Sequence, residues 1–299
     1  MFMTNRQSVQ NDVRLCFLVT LFVSLTAVDV VADDYPGLHN VNRAGASLLV
    51  GSQPEGEEAF RKLKELGVQT IVSVDGAQPD VALAKKYGLR YIHIPIGYDG
   101  ISRESALAMV RVTKEAKGLT YVHCHHGKHR GPAAAAVMCL AAGTASKQEA
   151  LDLMKRAGTG KDYVGLWCDV EGFKPPEKDE VLPELTESAK VESLAAAMAK
   201  LDRHFDHVKL LAKSDWKAPK EHPDLIASAE ALLVEEGLKE CLRNCDPKAD
   251  AKFTELMSQS LKSAGELREA IQKNDAEKAK QLVEVVTQSC TRCHAEFRN

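Results

Sequence analysis

The sequence predicts two domains of different build, an α/β domain with a central sheet flanked by helices and, after it, an all-α four-helix bundle. Three observations carry this. A chain of 299 residues suits about two domains at the usual ~100–200 residues each. None of the six tyrosines and only two of the 19 glycines, Gly237 and Gly265, lie beyond residue 185. Up to about residue 173 short β-type runs alternate with helical ones, whereas the remainder spaces its apolar residues by threes and fours. The bulk figures, 44% apolar and 27% charged, exclude wholesale disorder, collagen and a multi-span membrane protein. A formal charge of −3 leaves no strong electrostatic footprint for nucleic acid, which is therefore not an expected partner.

Residues 1–32 read as a secretory signal peptide. Arg6 and Arg14 precede an apolar run over 15–28, and Val30-Val31-Ala32 offers small residues for cleavage before Asp33. The run, ~14 residues, is short of the ~20 that a spanning helix needs. The mature chain is therefore expected outside the cytoplasm, periplasmic or extracytoplasmic, with no membrane span after cleavage; an uncleaved anchor is the alternative.

Residues 33–175 form the expected α/β domain. Strands are predicted at 47–50, 70–74, 90–96 and 119–122, and helices at 57–66, 80–87, 103–117 and 132–142. Further helical segments follow at 146–156 and 161–166. A stretch rich in proline and charge, with no periodicity, supplies a linker over 176–189. In residues 190–299, Val191, Leu194, Met198, Leu201, Phe205, Val208 and Ala212 make the seam of a first long helix. Weaker repeats follow at Leu225, Ala229 and Leu232, then at Phe253, Met257, Ala264, Leu267 and Ile271. A last helix capped by Asn274 or Asp275 runs through Ala279, Val283 and Val286 to Cys290 and Cys293. Four such helices predict an up-and-down bundle.

The strongest chemical motif lies in the first domain, in Val122-His123-Cys124-His125-His126-Gly127-Lys128-His129-Arg130-Gly131-Pro132. A cysteine leaves the end of a buried strand, five residues follow, then an arginine, and a helix opens at Gly131 and Pro132. This order predicts a loop wrapped over a helix N-terminus, with backbone N–H groups converging on an anion and a dipole that favours both a phosphate and a Cys124 thiolate. Arg130 adds a fork that fits two phosphoryl oxygens. Metal binding by this Cys/His cluster is the competing reading, but ligands packed so tightly in one loop do not easily close a tetrahedral site.

The His-Cys-X5-Arg pattern resembles the cysteine-dependent phosphatases, in particular the compact dual-specificity and atypical ones, over roughly residues 36–173. The resemblance implies two-step phosphoryl transfer without a metal. Cys124 is the nucleophile, and Arg130 with the loop residues His125, His126, Gly127, Lys128 and His129 binds the phosphate. An acid taken from an upstream loop protonates the leaving group. Asp99 is the expected acid, against the reading that it only forms an Asp-Gly turn; Asp75 is the reserve. Two departures stand out. The family usually places Ser or Thr after the arginine, where a hydroxyl helps the cysteine leave, and here stands Gly131. The loop is also rich in cationic side chains, so a phosphorylated protein and a multiply phosphorylated small-molecule phosphate ester are both expected substrate classes.

The C-terminus carries Cys290-Thr291-Arg292-Cys293-His294, the CxxCH attachment pattern of c-type haem. On a helix two thiols three residues apart reach one porphyrin edge, and His294 offers its imidazole to the iron. With the exported location and the four helices, residues ~188–299 resemble the cytochrome c′ (class II cytochrome c) family, which implies one covalent haem c. The opposite axial position is open in that family or filled by methionine. Met198 is the candidate sixth ligand, its other reading being core filler. His204 and His207 are expected at the surface, Cys241 and Cys245 either bridged or as two thiols, Cys139 in the core, and Cys168 without a role.

The leading functional reading is thus an exported phosphate monoester hydrolase fused to a haem domain for electron transfer, redox or gas sensing, with a redox partner implied. The runner-up is a c-type cytochrome whose first domain binds phosphate but turns over weakly. A third reading makes Cys124 an oxidisable sensor thiol.

Overall fold

The structure, a computed structural model, describes Met1 and residues 33–191, 193–245 and 249–297. The expected signal peptide lies outside the described residues.

Six strands make one mixed sheet. They are β1 (Asp33–Tyr35), β2 (Leu38–Arg43), β3 (Leu48–Ser52), β4 (Val68–Ser73), β5 (Arg90–His93) and β6 (Leu119–Cys124), in the order β1-β2-β3-β6-β4-β5. The last four in that order are mutually parallel, whereas β1, β2 and β3 meander antiparallel at one end. Parallel strands need crossovers, and helices α1 (Gly56–Glu65), α2 (Val81–Lys86), α3 (Arg103–Glu115) and α4 (Arg130–Ala142) supply and follow them. Because helices cover both faces, the central strands are buried on both sides. Ile71 and Tyr121 join the cluster under α1 and α2, while their neighbours Val72 and Val122 join the cluster under α4. The central sheet flanked by helices is thus as the sequence predicts. The strands β1 and β2 were not foreseen, since Asp33 to Arg43 is polar and interrupted by Pro36-Gly37, as suits an edge.

Helix α4 runs through the middle of the domain, with Ala133 to Cys139 all buried. Its small side chains let it lie close against the sheet, where it packs on β3 and β6. Helices α5 (Lys147–Arg156), capped by a Ser146–Glu149 capping box, and α6 (Val164–Glu171) complete the layer. The aperiodic stretch expected as a linker holds no helix or strand, yet it is strapped along the domain. His93 N–H donates to the Thr186 carbonyl at 2.9 Å, Arg111 to the Pro183 carbonyl at 2.9 Å, and Lys85 meets Glu187 at 2.6 Å. The segment thereby covers the free edge of β5.

Four long helices follow, α7 (Leu194–Lys213), α8 (Ala227–Arg243), α9 (Ala251–Gln272) and α10 (Ala276–Phe297). Each packs on the next and α10 returns to α7, which closes an up-and-down bundle. The sequence stripe forms its core, with Leu201, Phe205, Val208, Met257, Leu267, Val283 and Val286 buried in one cluster. Asn274 takes a left-handed φ of 57° in the tight α9–α10 turn, and Asp275 is the cap, accepting from Lys278 N–H at 3.1 Å. Helix α8 has two buried faces. Ala231, Val234, Leu238 and Cys241 point into the bundle, whereas Leu232 belongs to the core of the α/β half.

Candidate active site

Strand β6 delivers Cys124 to the C-terminal edge of the sheet between β3 and β4, and α4 starts six residues later at Arg130. The connecting loop is tied from outside by its carbonyls. Gln53 N–H donates to His125 O at 3.1 Å, Asn40 Nδ2 to Gly127 O at 2.9 Å, and Thr159 Oγ1 to Lys128 O at 2.7 Å. In a trans peptide the C=O and the following N–H point opposite ways. With these three carbonyls drawn outward, the amides of His126, Lys128 and His129 are turned to the other side. None of them donates to a protein acceptor among the described residues. Gly127 makes the crossing, at φ 69° and so close over β3 that a Cβ would sit 2.3 Å from the Gly51 carbonyl carbon. Gly131 packs closely below, with less crowding, where a Cβ would lie 3.3 Å from Cys124 N and 3.5 Å from Cys124 Sγ.

Arg130 is 1% exposed. Its Nη2 donates to the Tyr98 hydroxyl at 2.9 Å, to Glu240 Oε1 at 3.2 Å and to Asp75 Oδ2 at 3.3 Å, and the guanidinium stacks 4.0 Å from the Tyr98 ring centre. Its buried Nε–H has no acceptor among the described residues. Burial opposes the charge, but Tyr98, Asp75 and Glu240 outweigh it and hold Arg130 protonated. Asp75, 1% exposed, answers in kind: burial would raise its carboxyl, yet Arg130 and Arg243 keep it well below the usual carboxylate range. A carboxylate so firmly ionised cannot donate a proton, which removes Asp75 as the reserve acid. Asp99 is exposed and lines, with Arg130 and Tyr98, a cavity of about 360 Å³.

The histidines of the loop differ from one another. His129 stacks on Tyr163 at 3.8 Å, and burial, with His126 and Arg130 nearby, pushes its pKa down to about 4. Burial likewise lowers His125. Both are neutral at pH 7, so the loop is less cationic than its sequence suggests, its fixed charge coming from Lys128 and Arg130. His123 is enclosed beneath the loop, 2.6 Å from the Tyr91 hydroxyl, and burial lowers its pKa to about 4.

The far wall of the cavity comes from the bundle. Leu201 and His204 of α7 and Glu236 and Glu240 of α8 line it. Glu240 accepts from Arg130 and, at 2.7 Å, from Arg243, while Arg243 pairs with Asp75. Tyr163 donates to Glu236 at 3.2 Å. Asp75, Arg130, Glu240 and Arg243 thus form one chain of alternating charge across two halves of the molecule. The sequence reading missed Glu240 and Arg243, which sit more than a hundred residues from the motif; their one trace is the spacing of Glu236, Glu240 and Arg243 on a single helical face.

Residues 248–298 match the family model for cytochrome C′. They span α9 and α10 of the bundle. Among solved structures the chain is similar to P. aeruginosa TpbA, at 25% identity over 50% of this chain and 94% of that one, with a TM-score of 0.43. It is also similar to a putative phosphatase from Shewanella putrefaciens CN-32 (20% identity, 46% and 92% covered, TM-score 0.38) and to human DUSP28 (21%, 47% and 97%, TM-score 0.36). No curated protein matches the chain.

The family model implies a c-type haem, and the donor set on α10 fits one. Cys293 is buried and Cys290 half-buried, both on the bundle-facing side, and burial pushes both thiols up, Cys290 further influenced by Cys293. His294, the next residue, is exposed with its imidazole accessible. Met198 of α7 packs against the same cluster that takes in Cys290 and Cys293. His204 and His207, expected at the surface, instead turn towards Glu230 of α8. Cys139 is core as expected, its thiol donating to Ala44 O at 2.9 Å, and Cys241 lies in the bundle core while the Cys245 thiol donates to Leu242 O at 3.0 Å.

Proposed function

We propose that this protein is an exported cysteine-dependent phosphatase of phosphate monoesters, joined to a covalent c-type haem bundle that serves redox or gas sensing. The observation that carries the catalytic reading is the buried Arg130 Nε–H, without an acceptor among the described residues, beside a loop whose amides are turned from their outward-tied carbonyls. A buried, unpaired donor on a charged group is costly. A phosphoryl group supplies the missing acceptor.

In the first step Cys124 Sγ attacks phosphorus, the bond from phosphorus to the ester oxygen breaks, and Asp99 gives its proton to the leaving alcohol. Arg130 and the loop amides of residues 125–129 hold the equatorial oxygens as charge shifts on to them. In the second step Asp99, now a carboxylate, takes a proton from water, whose oxygen attacks phosphorus and expels Cys124 as thiolate. Gly131 offers no hydroxyl to that leaving sulfur. Exposed Lys128 adds positive charge to the loop and favours substrates with further negative charge, in a phosphorylated protein or a small phosphate ester.

The bundle supports the coupling. Cys290 and Cys293 would hold the haem and His294 its iron, with Met198 the candidate sixth ligand; the group would supply one-electron exchange with a redox partner or binding of a diatomic gas. Helix α8 shares one core with the bundle and another with the α/β half, and places Glu240 on Arg130. A carboxylate on the phosphate-binding guanidinium competes with substrate, so any shift of α8 changes access. Hydrolysis of an aryl phosphate by the purified protein, lost in Cys124→Ser, is the expected result. Absence of hydrolysis across a broad panel of phosphate esters, including with Glu240 removed, would overturn the enzyme reading in favour of a phosphate-binding cytochrome.

A further inference from the structure

We propose that His204, His207 and Glu230 form a binding site for a divalent transition-metal ion of the zinc kind, separate from both the phosphate loop and the haem motif. His204 and His207 stand three apart on α7, so both imidazoles leave the same helical face. Glu230, in the first turn of α8, meets them. Its Oε2 lies 2.9 Å from His204 Nδ1 and 3.1 Å from His207 Nδ1. The three ligand atoms fall within 4.8 Å of one another.

Two imidazole nitrogens directed at one carboxylate oxygen are a convergence that hydrogen bonding alone does not require. A second Nδ1–H on the same oxygen adds little, and each ring could have turned its N–H to water. A metal ion explains it, since two nitrogens and one oxygen are the donors such an ion takes. With bonds of ~2.0–2.1 Å, tetrahedral coordination sets neighbouring ligand atoms about 3.3 Å apart. The two nitrogen–oxygen separations, 2.9 and 3.1 Å, lie within a few tenths of an ångström of that, and the two nitrogens lie within 4.8 Å of each other, inside the reach of side-chain adjustment. His222, in the segment joining the two helices, has its ring 6.3 Å from that of His207 and is near enough to supply a further ligand by changing rotamer. Imidazole donors favour zinc, nickel or copper over magnesium and calcium, which prefer all-oxygen sites.

The site has a consequence for the rest of the molecule. His204 also lines the cavity beside Arg130. An ion bound here ties α7 to the start of the helix that carries Glu240 and Arg243.

The test is equilibrium dialysis of the full, haem-loaded chain against Zn²⁺, with metal counted by elemental analysis and affinity measured against a chromogenic chelator. Expected is one Zn²⁺ per chain, unaffected by millimolar Mg²⁺, retained in Cys124→Ser, and weakened at least about 10-fold in His207→Gln and in Glu230→Gln. The unfolding midpoint should rise by several degrees with Zn²⁺ in the wild type and stay unmoved in those variants. His207 is 37% exposed, so its replacement leaves the bundle folded. No stoichiometric Zn²⁺ on the wild type, or equal binding by the wild type and His207→Gln, would overturn the site.

Discussion

On the proposed reading, removing the Glu240 carboxylate should raise phosphatase activity. In the structure Arg130 Nη2 is shared among Tyr98, Glu240 and Asp75, at 2.9, 3.2 and 3.3 Å. Tyr98 and Asp75 belong to the α/β half, so only Glu240 is imposed by the bundle. A hydrogen bond to a charged group contributes ~1.5–3 kcal/mol net. The Glu240 side chain is 19% exposed and the 3.2 Å contact is long for a charge-assisted bond, so the lower end applies. About 1.4 kcal/mol is a factor of ten in an equilibrium. Glu240→Ala is therefore expected to raise kcat/KM for a small aryl phosphate about 10-fold, through KM, and to tighten competitive inhibition by inorganic phosphate by a similar factor. Glu240→Gln keeps the shape without the charge and should fall between. The gain is limited because Arg243 still pairs with Asp75 and keeps α8 docked, and the four charges are coupled enough that Arg243→Ala will not simply add. Initial rates with the folded variants, at one ionic strength, make the measurement. A kcat/KM within twofold of wild type, or below it, would refute the competition argument, since a fall would mean that Glu240 assists the reaction.

Three further outcomes follow from the same geometry. Gly131→Ser should speed breakdown of the cysteinyl-phosphate and shrink a pre-steady-state burst, because a side chain starting 3.5 Å from Cys124 Sγ puts a hydroxyl on the leaving sulfur; Gly131→Ala, equally tight against Val50 at 3.3 Å, is the steric control and should not. Stability should fall on acidification between pH 6.5 and about 4: burial keeps His123 neutral in the fold with a pKa of about 4, the unfolded chain takes the proton first near 6.5, and each pH unit across that window removes about 1.4 kcal/mol. A denaturant midpoint flat over this range, or equally sloped in His123→Gln, would contradict it. Cys290→Ala/Cys293→Ala should abolish the haem absorbance that survives denaturation, and in the intact protein ferric and ferrous haem should give different phosphatase rates; equal rates would remove the regulatory reading.

What was legible in the sequence was what is local. From His123 to Pro132 a strand end, a loop and a helix start follow within ten residues, so residue order fixes the geometry of Cys124 and Arg130 with little help from the rest of the chain. CxxCH is likewise set by the pitch of one helix. The strands β1 and β2 were not legible because their polar residues meet solvent on an edge and are ordered by pairing, and the role of Asp75 was not because its ionisation depends on Arg130 and Arg243, 55 and 168 residues away.

Helix α8 is the instructive case. The sequence shows its apolar repeat only at Leu225, Ala229 and Leu232, where the repeat of α7 runs through seven positions. In the structure one face, Ala231, Val234, Leu238 and Cys241, packs into the bundle, while Leu232, Glu236, Glu240 and Arg243 face the α/β half. Charged residues on the second face of such a helix are tolerated only where opposite charges meet them. Burying Glu236, and partly burying Glu240, without Tyr163, Lys239, Arg130 and Arg243 would be costly. The charged second face of α8 is therefore the trace of the contact between the two halves, and on the proposed reading it marks the helix through which a change in the bundle would reach the phosphate loop.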